Sequence, residues 1–334
     1  MQFIFPMGGR GTRVRPHTHV RPKPLMTIAG KPVLSHILDY LMPLAPSEAI
    51  FIVNPGPLGE QVRDFVASAY PALPARFIVQ QEARGQAHAV GLAEPYVRER
   101  ALIMFVDTLF EADLEQLRAP ADDGAILTHY VEDPSRFGVV VTEGGRVTRF
   151  VEKPSEPVSH DAIIGIYVIN HPERLFAAIH MLMERGGARG GEYFLADAAQ
   201  VMVDEGARFT PVRATAWQDT GTIAAIIGSE GPPFQAHHYL LDRCARVEGV
   251  VDNSVIVPPV YLPASATVTE SVVGPYVSVG DGAVIRRSVL RDTIVGRAAL
   301  VDGLHLTDSI LGDEAIATGR PSELNISDHS SVSG

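Results

Sequence analysis

The sequence predicts an α/β domain with a mainly parallel sheet, followed by a shorter domain built from an internal repeat. From Phe3 to Val106, short apolar runs alternate with amphipathic stretches, which is the pattern of parallel strands joined by helices. After Val247, a serine- or threonine-centred motif returns at intervals of 16 or 17 residues. These two patterns divide the chain into two regions of different architecture.

The individual elements follow from the spacing of apolar residues. Continuous apolar runs predict buried strands at 3–5, 49–53, 76–79 and 101–106. Apolar residues at helical spacing predict helices at 33–41, 60–69 and 86–97. From Gly124 the pattern changes to hairpins, with strands at 125–131, 138–142, 147–151 and 163–169 and a Gly144-Gly145 turn. A helix-like run then extends from Gly191 to Val203.

Length and composition limit the class of protein. A chain of 334 residues favours two domains, and 46% hydrophobic with 20% charged residues is typical of a folded globular protein. No apolar run approaches the roughly 20 residues of a membrane helix, and no secretion signal follows Met1, so we expect a cytosolic protein. Cys244 is the single cysteine, which excludes an internal disulfide and a cysteine zinc cluster. The net charge of −11 argues against general nucleic-acid binding.

A glycine loop with a high density of cations follows the first strand. Gly8, Gly9 and Gly11 allow positive φ and leave room for a ligand to approach the backbone amides, which suit a phosphate chain. The same stretch contains five cations in an otherwise acidic chain: Arg10, Arg13, Arg15, Arg21 and Lys23. The spacing matches neither the dinucleotide fingerprint nor a P-loop. The loop therefore predicts a phosphate site of another kind.

Three polar features follow strands of the predicted parallel sheet. They are the glycine loop, the segment 80–87 and Asp107, and the carboxyl ends of such strands meet in one cleft. Asp107 is either a cap of the next turn or a hard oxygen ligand for Mg²⁺ beside a triphosphate. Gln80 offers a donor and an acceptor to a base edge, although a glutamine at a loop is more often simply solvated.

The N-terminal stretch also resembles a known motif. Gly8-Gly9-Arg10-Gly11-Thr12-Arg13, Arg15-Pro16, Thr18, Pro22-Lys23-Pro24-Leu25 and Lys31-Pro32 are similar to the opening motif of the sugar-1-phosphate nucleotidyltransferases. This resemblance implies that amides of the loop, including Thr12, hold a nucleotide, and that Arg13 and Lys23 hold its phosphates. Pro6-Met7 replaces the usual Leu-Ala before the loop.

Later motifs extend the same resemblance. Gln80 and Gly85, and with them Ala87, resemble the base-reading segment of thymidylyl and uridylyl members, although Gln86 stands where relatives commonly have Thr. Trp217-Gln218-Asp219-Thr220-Gly221-Thr222 is similar to the closing motif of the family. The resemblance implies that Asp107 and Asp219 bind Mg²⁺. It also implies a sugar-phosphate site formed by Gly138, Glu152, Lys153, Gly165 and Trp217.

The repeat after Val247 resembles the hexapeptide repeat of a left-handed parallel β-helix. Ser254, Ser271 and Ser288 are 17 residues apart, and aliphatic residues recur between them every five or six positions. Such coils bury their aliphatic residues only by stacking, so we expect association with another subunit at the open end. An acetyltransferase site is the less favoured alternative, because the coils are few and His305 is the only histidine before His329. His237 and His238 are interpreted as structural.

The predicted organisation is a catalytic domain at 1–232, a linker at 233–249, a β-helix at 250–320 and a flexible tail at 321–334. The resemblance implies the reaction of an NTP with a sugar 1-phosphate to give an NDP-sugar and pyrophosphate, with dTTP or UTP and glucose 1-phosphate preferred and Mg²⁺ as cofactor. No nucleic-acid or membrane partner is expected. Two alternatives remain: a mannose-1-phosphate guanylyl- or glucose-1-phosphate adenylyltransferase, and a non-catalytic NDP-sugar sensor that regulates a partner.

Overall fold

The computed structural model describes residues 1–9, 11–186, 190–228, 231 and 234–319. Arg10 and the predicted tail at 321–334 lie outside the described residues. Over the described residues the chain forms two compact units. The first comprises residues 1–26, 31–226 and 231–236, and the second comprises residues 27–30, 227–228 and 237–319.

Thirteen strands precede the repeat region. They are β1 (Gln2–Pro6), β2 (Thr27–Ile28), β3 (Lys31–Pro32), β4 (Glu48–Val53), β5 (Ala75–Val79), β6 (Ala101–Met104), β7 (Thr108–Glu111), β8 (Gly124–Tyr130), β9 (Gly138–Glu143), β10 (Arg146–Glu152), β11 (Asp161–Ile169), β12 (Phe209–Arg213) and β13 (Ala216–Asp219). The helices of the described residues are α1 (Val33–Leu41), α2 (Pro57–Ala69), α3 (Gln86–Gly91), α4 (Leu114–Arg118), α5 (Pro172–Glu184), α6 (Leu195–Asp204), α7 (Ile223–Ile227) and α8 (Ala236–Cys244). None of these helices combines the length and apolar character that crossing a bilayer requires.

Nine strands form the central sheet of the first unit, in the order β5-β4-β1-β6-β11-β8-β12-β10-β9. The strands β5, β4, β1 and β6 are mutually parallel, as the alternation of strands and helices predicts. β11 then pairs antiparallel with both β6 and β8, and β9 and β10 form an antiparallel hairpin. The sheet is therefore mixed, and the predicted parallel arrangement describes its N-terminal half.

Buried aromatic and aliphatic residues connect these strands to the helices. Phe5, Phe51 and Phe77 lie in register on β1, β4 and β5, and each neighbouring pair of rings stacks with centroids 5.2 Å apart. α1 buries Leu34, Leu38 and Leu41, whose spacing places them on one helical face. Its observed bounds coincide with the predicted helix at 33–41.

Three elements are shorter than predicted, and one of them is α6, which begins at Leu195 instead of residue 191. α3 ends at Gly91 instead of continuing to residue 97, and the chain passes through turns towards Pro95, which has no N–H for a helical bond. β6 ends at Met104 instead of residue 106, although the Phe105 N–H still donates to the Gly165 carbonyl at 3.0 Å. The early end of β6 leaves Asp107 outside the sheet.

The second unit contains short strands stacked in three parallel sheets. They are β14 (Arg246–Val247), β15 (Val250–Asp252), β16 (Val255–Ile256), β17 (Val260–Leu262), β18 (Thr267–Thr269), β19 (Val272–Val273), β20 (Val277–Val279), β21 (Val284–Arg286), β22 (Val289–Leu290), β23 (Thr293–Val295), β24 (Leu300–Asp302), β25 (His305–Leu306), β26 (Ser309–Leu311) and β27 (Ile316–Thr318). Strand β15 pairs with β18, β18 with β21 and β21 with β24, so each sheet runs through successive coils. This arrangement is that of the predicted hexapeptide β-helix.

The repeated serines have a clear structural role in these coils. The Ser254 Oγ accepts from the Ser271 N–H at 2.9 Å, the Ser271 Oγ from the Ser288 N–H at 3.0 Å, and the Ser288 Oγ from the Leu304 N–H at 3.1 Å. Each hydroxyl therefore satisfies a backbone donor at a corner of the next coil. His237 is also structural: its Nε2 lies 3.0 Å from the Ser278 Oγ, and burial lowers the pKa of the ring to about 3.

Candidate active site

The glycine loop begins where β1 leaves the sheet. The Met7 N–H still donates to the Ile52 carbonyl at 2.8 Å, after which the chain turns away. Gly8 packs so closely on Gln80 that a Cβ at position 8 would lie 2.1 Å from the Gln80 Oε1. Gly11 adopts a φ of +59° and starts the short 3-10 helix Thr12–Val14, and its carbonyl accepts from the Thr18 Oγ1 at 2.8 Å. Packing thus requires glycine at position 8 and backbone conformation favours it at position 11.

A cavity of about 370 Å³ opens beside this loop. Nine of the predicted site residues line it, namely Gly8, Gly9, Gly11, Thr12, Arg13, Lys23, Gln80, Gly85 and Asp107. They come from three separate segments that follow β1, β5 and β6. The cleft expected at the carboxyl ends of the parallel strands therefore contains these residues together.

Lys23 and Asp107 form an ion pair in the cavity. The Lys23 Nζ donates to the Asp107 Oδ2 at 3.0 Å, and only 14% of the lysine side chain is exposed. The Asp107 side chain remains 36% exposed, although it lies deep in the cleft. Burial by itself raises the pKa of Asp107, but the charge and hydrogen bond of Lys23, with the charge of Arg13, lower this pKa below its usual value. Asp107 is thus held as a carboxylate.

The second carboxylate reaches the same place through a strand pair. β13 pairs antiparallel with β7, so that Asp219 lies opposite Thr108, and the Thr220 N–H donates to the Asp107 carbonyl at 2.9 Å. The Gly221 N–H donates to the Asp219 Oδ1 at 2.7 Å. Burial, and then the neighbouring charge of Asp107, raise the pKa of Asp219. Asp107 and Asp219 are therefore close enough to repel one another.

This arrangement fits a divalent cation. A cation would relieve the repulsion between Asp107 and Asp219, and the buried Thr220 Oγ1 beside them has no hydrogen-bond partner in the described part of the chain. Among the described residues no group of three or more His, Cys, Asp or Glu side chains is suitable for a metal. Mg²⁺ commonly uses one or two protein carboxylates and completes its shell with water and phosphate oxygens. Two carboxylates beside the glycine loop match that requirement.

The segment after β5 is fixed by a neighbouring stretch of chain. The Tyr193 N–H donates to the Arg84 carbonyl and the Tyr193 carbonyl accepts from the Ala87 N–H, both at 2.9 Å. A Cβ on Gly85, whose φ is +100°, would lie 2.5 Å from the Tyr193 nitrogen. The backbone of Tyr193 thus approaches Gly85 closely, and Gly85 also lines the cavity.

The residues predicted for the sugar phosphate lie outside the set that lines the cavity. Gly138 and Glu152 are paired across β9 and β10, and a Cβ on Gly138 would lie 2.7 Å from the Glu152 Oε2. Lys153 has a φ of +46°, and its ammonium lies 5.9 Å from the centre of the Phe194 ring. Burial, and then the charges of Glu152 and Asp197, raise the pKa of the buried Tyr167. Glu152 and Lys153 therefore belong to a second polar region.

Gly165 connects this region to the cavity. Its φ is +82°, and a Cβ there would lie 2.7 Å from the Phe105 Cδ2. Phe105 lines the cavity two residues before Asp107 and packs edge-on against Tyr167, with ring centroids 6.4 Å apart. The absence of a side chain at Gly165 thus allows Phe105 to lie between the two polar regions.

Trp217 is buried in an aromatic cluster. It packs edge-on against Phe137 with centroids 5.1 Å apart and against His129 at 6.0 Å, and only 5% of it is exposed. Its Nε1 is buried and has no hydrogen-bond partner in the described part of the chain. An indole N–H in this state is an unsatisfied donor inside the aromatic cluster.

Several residues at the site have no signal in the sequence. Glu192 and Phe105 line the cavity, and His88 lies 3.2 Å from the Gln80 amide. Glu192, Phe105 and His88 all fall within predicted elements. No periodicity or spacing separates these residues from structural ones, because their contacts depend on how distant segments meet.

The comparisons with known proteins agree with this geometry. A family model described as nucleotidyl transferase matches residues 4–230, which is more than half of the chain. The chain belongs to the nucleotidyl transferase family. A second model, described as GlmU-like, C-terminal hexapeptide, matches residues 235–308. The predicted family, enzyme class and two-part fold are confirmed.

Individual relatives match over much of their length. The chain is 30% identical to a glucose-1-phosphate thymidylyltransferase of Streptomyces antibioticus, with 93% of this chain and 92% of that protein covered. It is also 30% identical to a UTP–glucose-1-phosphate uridylyltransferase of Haloferax volcanii, covering 65% of this chain and 90% of the relative. A Bacillus anthracis crystal structure with bound sucrose, provisionally named a glucose-1-phosphate thymidylyltransferase, aligns with a TM-score of 0.58 and 27% identity, covering 66% of this chain and 90% of that one.

Proposed function

We propose that this nucleotidyltransferase joins a nucleoside triphosphate to a sugar 1-phosphate, giving an NDP-sugar and pyrophosphate. The observation that carries the proposal is that Arg13, Lys23 and Asp107 line one cavity beside the glycine loop, and that the charges of all three act on Asp219. The names of the relatives support dTTP or UTP as the nucleotide and glucose 1-phosphate as the sugar.

The chemistry needs no nucleophile from the protein. A phosphate oxygen of the sugar 1-phosphate attacks the α-phosphorus of the triphosphate, a new P–O bond forms, and the bond between the α-phosphorus and its bridging oxygen breaks. Pyrophosphate leaves with the electron pair of that bond. The protein aligns the two phosphates and stabilises the negative charge that grows during the transfer.

The cations of the cavity suit that task. Arg13 is exposed at the cavity and suits the departing pyrophosphate, and Lys23 is held close to the carboxylates, where it suits phosphate oxygens. When bound, Mg²⁺ on Asp107 and Asp219 supplies charge neutralisation of the phosphates. The loop amides of Gly8, Gly9, Gly11 and Thr12 are proposed to hold the nucleotide.

The cavity and the region around Glu152 and Lys153 are proposed to bind different parts of the substrates. Gln80 and Gly85 are proposed to contact the base at the cavity. Gly138, Glu152, Lys153, Gly165 and Trp217 are proposed to hold the sugar phosphate. The carboxylate of Glu152 suits hydroxyl donors, and the ammonium of Lys153 suits a phosphate.

The remaining assignments also belong to this proposal. Residues 1–232 act as the catalytic domain, residues 233–249 as the linker and residues 250–320 as the β-helix through which the chain forms a homo-oligomer. The tail spans residues 321–334. The enzyme acts in the cytoplasm on small substrates, without a nucleic-acid or membrane partner.

A pyrophosphate-release screen tests the function. Each of UTP, dTTP, CTP, GTP and ATP is combined with glucose 1-phosphate and with mannose 1-phosphate in the presence of Mg²⁺. We expect release with UTP or dTTP and glucose 1-phosphate. Release only with GTP or ATP would support the guanylyl- or adenylyltransferase alternative. Tight NDP-sugar binding without release from any pair would support the non-catalytic sensor.

A further inference from the structure

His88 contacts the side chain that is proposed to read the base. The Gln80 Nε2 lies 3.2 Å from the His88 Nδ1, and an amide NH₂ group can only donate. In this orientation of the amide the ring nitrogen accepts, which corresponds to the neutral tautomer of His88 with its proton on Nε2. This contact lies in the first turn of α3, two residues after the cavity-lining Gln86.

The same contact determines which atom of Gln80 faces the cavity. With Nε2 held by His88, the Oε1 is directed at the Cα of Gly8, on the wall of the cavity. Gln80 is only 6% exposed, and its backbone N–H donates to the Val53 carbonyl at 2.9 Å, so the side chain has little freedom to move away. Gln80 thus presents a hydrogen-bond acceptor next to the loop.

Building on the proposed function, we propose that His88 is a positioning residue that selects bases with a ring N3–H by fixing the orientation of the Gln80 amide. Uracil and thymine carry a donor at N3, which pairs with the presented Oε1. Cytosine carries an acceptor at N3, which faces the same oxygen without a proton between them. Rotating the amide by 180° would present the NH₂ group and reverse this preference.

Protonation of His88 would reverse the orientation of the Gln80 amide. A protonated ring donates from Nδ1, so it would pair with the Gln80 Oε1 and turn the NH₂ group towards the cavity. Burial, and then the charge of Arg84, lower the pKa of His88 below its ordinary value, while Glu82 acts in the opposite direction. The ring is therefore neutral at pH 7.5, and discrimination against cytosine should weaken only at a pH below the ordinary titration range of histidine.

The test compares kcat/KM for UTP and CTP in the full-length enzyme and two variants. His88→Leu removes the acceptor, so the UTP-to-CTP ratio should fall by about tenfold, the factor for one neutral hydrogen bond. His88→Asp keeps an acceptor that does not protonate in this range, so it should retain the ratio and show no change from about pH 8 to about pH 5.5. The triphosphate is common to both nucleotides, so its titration cancels in the ratio.

Two further measurements separate positioning from a structural effect. The control variant His180→Leu removes an exposed ring that pairs with Glu94 on the surface, and it should leave the ratio unchanged. The ¹⁵N resonances of the His88 ring should show an unprotonated Nδ1 and a protonated Nε2 at pH 7.5. This readout does not require turnover.

The outcomes are distinct from those that test the function itself. If the wild-type enzyme releases no pyrophosphate from any nucleotide, the proposed function fails, whereas the NMR tautomer still tests the contact. If the wild type uses UTP but His88→Leu keeps the full ratio at every pH, the positioning role is wrong. A wild-type preference for CTP, or a protonated Nδ1 at pH 7.5, would equally overturn it.

Discussion

Replacing Asp107 or Asp219 by asparagine should have opposite effects on the free energy of unfolding of the metal-free protein. Asp107→Asn removes the charged acceptor that lies 3.0 Å from the Lys23 Nζ, and this ammonium is only 14% exposed. A hydrogen bond between charged groups contributes about 1.5–3 kcal/mol. Because 36% of the Asp107 side chain is exposed, the lower end applies. We expect the free energy of unfolding to fall by about 1.5 kcal/mol.

Asp219→Asn should raise the free energy of unfolding at neutral pH. Burial and the charge of Asp107 raise the pKa of Asp219, so the folded protein holds this proton more tightly than the unfolded chain does. Stability is therefore lost as the pH rises through the folded-state pKa and Asp219 ionises. A neutral asparagine avoids that loss. Both variants should nevertheless lose about 100-fold or more in turnover, the scale of removing one electrostatic group from an active site.

The assay is urea unfolding in EDTA, followed by tryptophan fluorescence. Trp217 is the single tryptophan and lies in the first unit, so the signal reports on the unit that contains the site. Asp64→Asn, an exposed position on α2, serves as the matched control and should change stability by less than about 0.5 kcal/mol. Equal destabilisation by Asp107→Asn and Asp219→Asn would refute the argument that the two carboxylates repel one another.

Three further variants test the packing around the site and in the coils. Gly165→Ala should cost about 1–3 kcal/mol more than Gly144→Ala in urea unfolding, since both glycines have positive φ but only the first would place a Cβ against Phe105. Trp217→Phe should change the free energy of unfolding by less than about 1 kcal/mol, because it removes a buried donor that has no partner in the described part of the chain. The same variant should raise the KM for the sugar 1-phosphate. An unchanged KM would exclude a contact between Trp217 and the sugar. Ile285→Ala, in the β-helix core, should cost about 2–5 kcal/mol by circular dichroism, whereas the 40% exposed Val289→Ala should cost less than about 0.5 kcal/mol.

Apolar spacing predicted the elements whose packing is local. The helix at 33–41 and the strand around Ile50 follow from the residues that each must bury, and the structure agrees with them. The antiparallel insertion of β11 between β6 and β8 could not be predicted in the same way. A buried run of residues has the same pattern whichever direction its strand takes, and order within a sheet depends on distant pairings.

The site residues likewise divide into those that the sequence predicted and those that depend on how distant segments meet. The sequence predicted the glycine loop and Lys23 because phosphate chemistry needs glycines and cations close together, and it predicted Asp107 because this residue follows a buried strand. The proximity of Asp219 was implied only by a motif, since the pairing of β13 with β7 has no signature of its own. The contact of His88 with Gln80 and the cavity position of Glu192 became visible only when the segments were brought together.

The proposed reaction depends most on Asp107 and Asp219 sharing one cation beside the triphosphate. Anomalous diffraction from crystals grown with Mn²⁺ and a non-hydrolysable UTP analogue tests this directly. We predict a single anomalous peak coordinated by both Asp107 and Asp219 and by phosphate oxygens of the nucleotide. A peak coordinated by only one of these aspartates would contradict this arrangement. A nucleotide bound in the cavity with no metal between its phosphates and the two aspartates would contradict it equally.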